Sequence, residues 1–142
     1  MKETRKILDK YVLYLAWLTA VAATAGSLIF SEIIGYIPCI LCWYQRIAMY
    51  PLVVVLAVGI VLKDKKLVFY ALPLSIIGGV VAFLQKLLQI GVLSEASFPC
   101  RVGVSCTTKY IDYFGFITIP FLSLVSFIII IACLLYYWRT KK

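Results

Sequence analysis

Residues 113–138 read YFGFITIPFLSLVSFIIIIACLLYYW and contain no charged side chain. A helix needs about 20 predominantly apolar residues to cross the ~30 Å hydrocarbon core of a bilayer, so this segment is long enough to span one. Three further segments, 11–31, 38–62 and 67–92, are similarly long and apolar. None shows the alternation of polar and apolar residues over about ten positions that a membrane β-strand requires. The sequence therefore predicts an all-α membrane protein, a four-helix bundle forming one domain over residues 1–142.

The composition argues against a soluble domain of this size. Of the 142 residues, 64% are hydrophobic and 14% are charged. A small soluble domain can bury only part of such an apolar surface. The net charge of +8 could indicate a nucleic-acid partner, but the basic residues lie at the ends of the apolar segments rather than on one polar face. The bilayer is therefore the expected solvent for most of the chain.

The distribution of basic residues predicts how the bundle is oriented. One set lies before the first segment, between the second and third, and after the fourth: Lys2, Arg5, Lys6, Lys10, Lys63, Lys65, Lys66, Arg139, Lys141 and Lys142. The connections on the opposite side carry only Arg101 and Lys109. The positive-inside rule therefore places both termini in the cytoplasm. The connections around 31–36 and over 93–112 then face the outside, where disulfides persist.

The first candidate reactive site is the stretch 37–46, IPCILCWYQR. Pro38 suits the first residue of a helix, because the N–H that proline lacks has no partner at that position. Cys39 and Cys42 would then lie in the first turn, where unpaired backbone N–H groups and the helix dipole stabilise a thiolate. This arrangement is typical of a redox-active dithiol. A static disulfide or half of a zinc site is the alternative interpretation.

Two basic residues are predicted inside the membrane. Arg46 follows Cys42 by four residues and Cys39 by seven, so the three share one helix face. Arg46 would lie roughly 10 Å deeper in the membrane than Cys39. A charged side chain at that depth is costly, and its presence therefore indicates a function. Its guanidinium could polarise a quinone carbonyl or extend to the outer headgroups. Lys86 is expected at a similar depth, with the same two interpretations. Its neighbour Gln85 could hydrogen-bond to a carbonyl or between helices.

A second cysteine pair, Cys100 and Cys106, lies in the predicted outer connection. The five intervening residues include a glycine, so a small loop can close between them. Alone, the pair would be read as a structural disulfide, but a neighbouring dithiol at a helix start allows exchange between the two pairs.

Cys133 lies among Ile and Leu in the fourth segment and is expected to pack in the core. No carboxylate lies within a predicted span, which argues against an ion-coupled transporter.

These features together resemble the DsbB/BdbC family of bacterial membrane thiol-disulfide oxidoreductases. The resemblance rests on C-x-L-C-W-Y-Q-R at 39–46, on the C-x5-C pair, on four spans with both termini inside, and on the segment 113–122 at the start of the fourth helix. It implies a protein of the bacterial cell membrane that reoxidises an extracytoplasmic thioredoxin-like thiol oxidase. The electrons would pass through two cysteine pairs to a membrane quinone, menaquinone or ubiquinone, in support of disulfide bond formation in exported proteins.

The resemblance also implies an order for the relay. The reduced partner attacks the Cys100–Cys106 disulfide at Cys100. Cys106, once free, passes the electrons on to Cys39, and Cys42 then reacts with the quinone.

The quinone would be held near Arg46 by the same resemblance. Some family members carry a histidine on the third helix near the quinone, whereas this chain contains no histidine. Gln85 or Lys86 would then take its place.

Two alternatives stay open. A vitamin K epoxide reductase-like enzyme is also a helical bundle with a C-x-x-C, but its loop cysteines precede the reactive pair in the sequence, whereas here they follow it. A protein of another class could use the four paired cysteines as an extracytoplasmic metal site. Without histidine, and with C-x5-C as its second half, a zinc site would be unusual, so we predict no metal.

Overall fold

The structure, a computed structural model, describes residues 1–97, 104–108 and 117–142. Its four long helices are α1 (Lys2–Leu28), α2 (Ile40–Val61), α3 (Leu67–Gln89) and α4 (Ile119–Lys141). A π-helical turn, Ile29–Ile33, continues α1, and a 3-10 helix, Glu95–Ser97, follows α3. Each of the four long helices is long and apolar enough to cross a membrane. The prediction of an all-α membrane bundle of four helices is confirmed.

The helices run alternately up and down. Each packs against the next along the chain, and α1 also packs against α4, so the bundle closes. The start of α1 and the ends of α2 and α4 surround a cavity at one end, whereas the end of α1 and the starts of α2 and α4 surround another at the opposite end. Both chain termini therefore lie at the same end, as predicted. That this end is cytoplasmic stays a prediction.

Small residues allow the helices to approach closely. Ala16 and Ala20 of α1 are fully buried in the core. On α3, a Cβ atom added to Gly78 would lie 2.3 Å from the ring of Phe127 in α4, so only glycine leaves room for that ring. Phe127 itself is fully buried. Close packing of this kind is how membrane helices associate, because lipid tails provide no hydrophobic driving force between them.

Several helix boundaries differ from the predicted ones, including the ends of α1, at Leu28 rather than 31, and of α4, at Lys141 rather than 138. The first helix starts at Lys2 rather than 11, because its charged first turns continue the helix beyond the apolar segment. The third ends at Gln89 rather than 92, since Gly91 adopts φ +80°, a left-handed conformation that stops a helix. The fourth begins at Ile119 rather than 113. Of the predicted residues before it, 113–116 lie outside the described residues.

The start of α2 also differs, and this affects the C-x-x-C motif. Cys39 has an extended backbone, with φ −74° and ψ 173°, and is the N-cap of a helix that begins at Ile40. Its carbonyl oxygen accepts the first helical hydrogen bond, from the Trp43 N–H at 3.2 Å. Pro38 therefore precedes the helix, and the prediction that it is the first helical residue is wrong. Cys42 still lies in the first turn, as predicted.

Candidate functional site: two cysteine pairs beside an apolar cavity

The C-x-x-C motif places two free thiols side by side at the start of α2. The Sγ atoms of Cys39 and Cys42 lie 3.3 Å apart, and both cysteines are free. Cys39 is only 5% exposed, whereas Cys42 is half-buried. The N-cap position of Cys39 and the first-turn position of Cys42 bring the two side chains to the same side of the helix start. The pair can therefore close to a disulfide or reopen with little movement of the backbone.

Gln85 of α3 contacts this dithiol, and Gln45 of α2 contacts Gln85. The Gln85 Nε2 group donates hydrogen bonds to the sulfurs of Cys39 and Cys42, each at 3.3 Å. Gln85 Oε1 accepts a 2.5 Å hydrogen bond from Gln45 Nε2, which fixes the orientation of the Gln85 amide. Both glutamines are buried. The arrangement directs N–H donors at sulfur, where they stabilise negative charge.

Gln45 was missed as a site residue in the sequence. The cysteine motif does not distinguish it, although a glutamine inside an apolar helix is itself a signal that a polar partner is near. Its partner Gln85 was predicted as a candidate, with a quinone carbonyl or another helix as its target. The structure places the Gln85 amide against the two sulfurs, and its hydrogen bond with Gln45 joins α3 to α2, which agrees with the second interpretation.

The second cysteine pair reaches the same region from the connection between α3 and α4. Cys106 is disulfide-bonded and 1% exposed. It belongs to one buried cluster with Cys39, Leu41 and Leu88. Its predicted partner, Cys100, lies outside the described residues. A buried disulfide sulfur thus lies in the same cluster as a free thiol, which is the arrangement that thiol–disulfide exchange requires.

Glu95 fixes the segment that carries Cys106. The carboxylate accepts hydrogen bonds from the hydroxyl of Ser105 and, at 3.0 Å, from the backbone N–H of Thr107. The Ser105 hydrogen bond, together with those from Thr107, lowers the pKa of Glu95. The contact is therefore at full strength above the ordinary carboxyl pKa, and it weakens as the pH falls through the lowered value.

Arg46 lies one turn below the dithiol, on the face predicted for it. Its Nη2 atom donates to the carbonyl oxygen of Ser27 in α1 at 3.0 Å, and its guanidinium lies 5.3 Å from the centre of the Trp43 ring. The Nε atom is buried and has no hydrogen-bond partner within the described part of the chain. These contacts hold the charged group among the helices.

Lys86 lies on a different side of α3 from Gln85. Its ammonium donates to the Thr118 hydroxyl at 3.3 Å and lies 5.6 Å from the centre of the Phe121 ring. Lys86 does not line the cavity that the cysteines share, although Thr118 does. The structure thus brings Gln85 to the dithiol and directs Lys86 to the start of α4.

Two cavities that share lining residues adjoin the cysteines. The first, which we call the thiol cavity, has a volume of about 50 Å³ and is lined by both free cysteines, Cys106, Arg46 and Gln85 among others. The second, the lateral cavity, has a volume of about 320 Å³ and lies between α1, α2 and α4. Cys42 and Arg46 line both cavities. A group bound in the lateral cavity would therefore meet one sulfur of the dithiol and the guanidinium.

The lateral cavity is apolar apart from a few converging groups. Besides Arg46, it is lined by Gln45 and by Tyr50, one turn further along α2. The hydroxyl of Tyr50 is buried and, within the described residues, has no hydrogen-bond partner. An apolar cavity with a small number of converging polar groups is the usual form of a small-molecule site. Tyr50 was also missed in the sequence, where tyrosine in a membrane helix carries no distinguishing signal.

Comparison with known proteins identifies the family. The model of the family described as disulfide bond formation protein DsbB matches residues 9–137. The disulfide bond formation protein C of Bacillus subtilis is 49% identical over 125 residues, which is 87% of this chain and 91% of that protein. A probable disulfide formation protein C of Halalkalibacterium halodurans is 46% identical over 127 residues, 89% of this chain and 92% of its own length.

A probable disulfide formation protein C 1 of Bacillus anthracis is 45% identical over 126 residues, covering 88% of this chain and 90% of that protein. No solved structure matches the chain. The match to the family model and the extent of these similarities confirm the resemblance drawn from the cysteine motifs. The chain belongs to the disulfide bond formation protein DsbB family and is a multi-pass thiol oxidoreductase of the bacterial cell membrane.

Proposed function

We propose that this protein reoxidises an extracytoplasmic thioredoxin-like thiol oxidase and passes the electrons to a membrane quinone. The relay would use Cys100 and Cys106 first and Cys39 and Cys42 second. By the positive-inside rule the end of the bundle that carries the cysteines faces the outside. A soluble partner could reach it there.

The observation that carries the proposal is the burial of Cys106 in one cluster with Cys39. Thiol–disulfide exchange needs a thiolate that can reach a disulfide sulfur, so the two reacting cysteines must lie close together. Cys106 also lines the thiol cavity together with both free cysteines. Two cysteine pairs that served only as separate structural disulfides would have no reason to share a cavity.

The cysteine chemistry balances as two exchange steps. The partner's thiolate attacks the Cys100 sulfur, and its second thiol resolves the mixed disulfide, so the partner is oxidised and Cys100 and Cys106 become thiols. The Cys106 thiolate then attacks Cys39 of the oxidised inner pair and releases the Cys42 thiolate. Attack by Cys100 on Cys106 restores the loop disulfide and leaves the inner pair reduced.

The two glutamines would stabilise the Cys42 thiolate as it leaves the inner disulfide. As the sulfur of Cys42 takes on negative charge, the Gln85 Nε2 donor at 3.3 Å stabilises it. Gln45 donates to Gln85 Oε1, an oxygen that also lies 3.7 Å from the Cys42 sulfur, and so helps to keep Gln85 Nε2 within reach of both sulfurs. We assign Gln45 as a positioning residue.

The lateral cavity fits a quinone. Its volume of about 320 Å³ and its apolar lining suit a flat ring. The Arg46 Nε and the Tyr50 hydroxyl, which have no hydrogen-bond partner among the residues that the structure describes, are donors that two carbonyl oxygens could satisfy. When bound, a quinone accepts two electrons and two protons. Arg46 and Tyr50 would hold and orient it, while Cys42 presents its sulfur to the same cavity.

The metal-site alternative loses support in this geometry. A thiolate is the form of cysteine that binds zinc, whereas Cys106 is in a disulfide.

The test of function is oxidation of a reduced thioredoxin-like protein by the purified enzyme, with and without added quinone.

Serine in place of Cys39, Cys42, Cys100 or Cys106 should abolish quinone-dependent turnover in this test. The matched control is Cys133→Ala, because Cys133 lies in the main helical core rather than in the cluster of the reactive pairs. Its activity should stay near that of the wild type. Full turnover by a Cys100→Ser variant would reduce the loop pair to a structural role and contradict the proposal.

A further inference from the structure

A cavity of about 650 Å³ lies at the end of the bundle opposite the cysteines. The start of α1, the end of α2, the connection between α2 and α3, and the end of α4 surround it. Its wall includes Leu13 and Ile60 together with the tyrosines Tyr14 and Tyr137. None of these residues takes part in the proposed redox relay, so the cavity needs its own explanation.

The cavity is strongly basic. Five lysines line it: Lys6, Lys10, Lys63, Lys65 and Lys141. Of the lining residues only Asp9 is acidic, which leaves a formal excess of four positive charges. The positive-inside rule explains why lysines lie at this end, but not why they converge. Lys2 and Lys142 lie at the same end without lining the cavity.

The buried carboxylate of Asp9 is a second feature of this cavity that points to a ligand. It is only 6% exposed, and its Oδ2 atom lies 3.7 Å from the Lys141 ammonium. Its Oδ1 atom is buried and, in the part of the chain that the structure describes, has no hydrogen-bond partner. A buried carboxylate oxygen without a donor is costly. A hydroxyl group placed in the cavity would supply that donor.

We propose that this cavity binds the headgroup of an anionic phospholipid that carries a free hydroxyl group. The phosphate would pair with the lysines, and the hydroxyl would donate to Asp9 Oδ1. Basic pockets between membrane helices are a recognised form of lipid headgroup site. The apolar side chains at the cavity wall would contact the start of the acyl chains. The inference does not depend on the redox proposal, because the two sites lie at opposite ends of the bundle.

The test uses purified full-length protein in neutral detergent with short-chain phosphatidylglycerol as the probe, and native mass spectrometry to measure the dissociation constant. Each lysine near an anionic headgroup contributes about a fivefold gain in affinity. The Lys63→Gln/Lys65→Gln variant should therefore bind roughly 25-fold more weakly. The matched control, Lys2→Gln/Lys142→Gln, removes the same charge from the same end and should lose about threefold or less. Equal losses in the two variants would overturn the site in favour of general charge attraction.

Two further probes test the chemistry of the ligand. Phosphatidylethanol has the same charge as phosphatidylglycerol but no headgroup hydroxyl, and it should bind about fivefold more weakly to the wild type. Equal binding of the two lipids would overturn the contact with Asp9. Glycerol phosphate distinguishes a lipid from a free phosphate. If it displaced the lipid at an equal concentration, the cavity would be a site for a soluble phosphate and the lipid proposal would be wrong.

Discussion

Replacing Gln85 with leucine should lower the reduction potential of the Cys39–Cys42 pair by about 30 mV. The Gln85 Nε2 group donates to both sulfurs at 3.3 Å. A hydrogen bond of this kind contributes about 0.5–1.5 kcal/mol, so the two together stabilise the reduced pair by about 1.4 kcal/mol. For a two-electron couple that energy corresponds to about 30 mV. Removing the donors destabilises the thiols, so the pair becomes harder to reduce.

The assay is a redox titration of the inner pair in a Cys100→Ser/Cys106→Ser background, with alkylation and mass spectrometry to count free thiols. Gln89→Leu is the matched control. Gln89 is one helical turn from Gln85 and also lines the thiol cavity. Its variant should titrate within about 5 mV of the parent. An unchanged potential in Gln85→Leu, or an equal shift in the control, would refute the role of the amide.

Three further outcomes follow from the contacts described above. Arg46→Met should raise the quinone KM about tenfold, since a charged donor is lost, with thiol exchange in a single turnover unchanged; an unchanged KM would favour the headgroup interpretation. Tyr50→Phe should raise the same KM about fivefold, and a normal KM would remove the hydroxyl from the site. Gly78→Ala should destabilise the protein by about 1–3 kcal/mol in thermal unfolding, because the new Cβ would lie 2.3 Å from Phe127. Gly79→Ala, whose Cβ would meet the same residue at 3.5 Å, should unfold like the wild type.

The spans were predictable because hydropathy depends on local sequence alone. The ends of the helices were not. Hydropathy marks where a helix meets the bilayer, whereas α1 continues as helix through charged residues to Lys2. At the start of α2, the extended backbone of Cys39 moves the first helical residue to Ile40. Pro38 signals that a helix begins nearby, but not at which residue.

The site was predictable as far as it lies on one helix. Helical spacing places Cys39, Cys42 and Arg46 on one face, and the structure brings all three to the thiol cavity. The contact between Gln45 and Gln85 depends on how α2 and α3 are rotated against each other. No local pattern records that rotation, so a pair of residues 40 positions apart could not be matched from one sequence.

In the proposed relay, electrons pass directly between Cys106 and Cys39. The most direct measurement is disulfide mapping in a Cys42→Ser/Cys100→Ser variant, which leaves each of these two cysteines without its own partner. After mild oxidation, mass spectrometry of the digested protein should show a peptide that links Cys39 to Cys106, since both lie in one buried cluster. The counterpart variant, Cys39→Ser/Cys100→Ser, should give much less of the link from Cys42 to Cys106. A Cys39 thiol that stays free while Cys106 forms disulfides between molecules would contradict the relay.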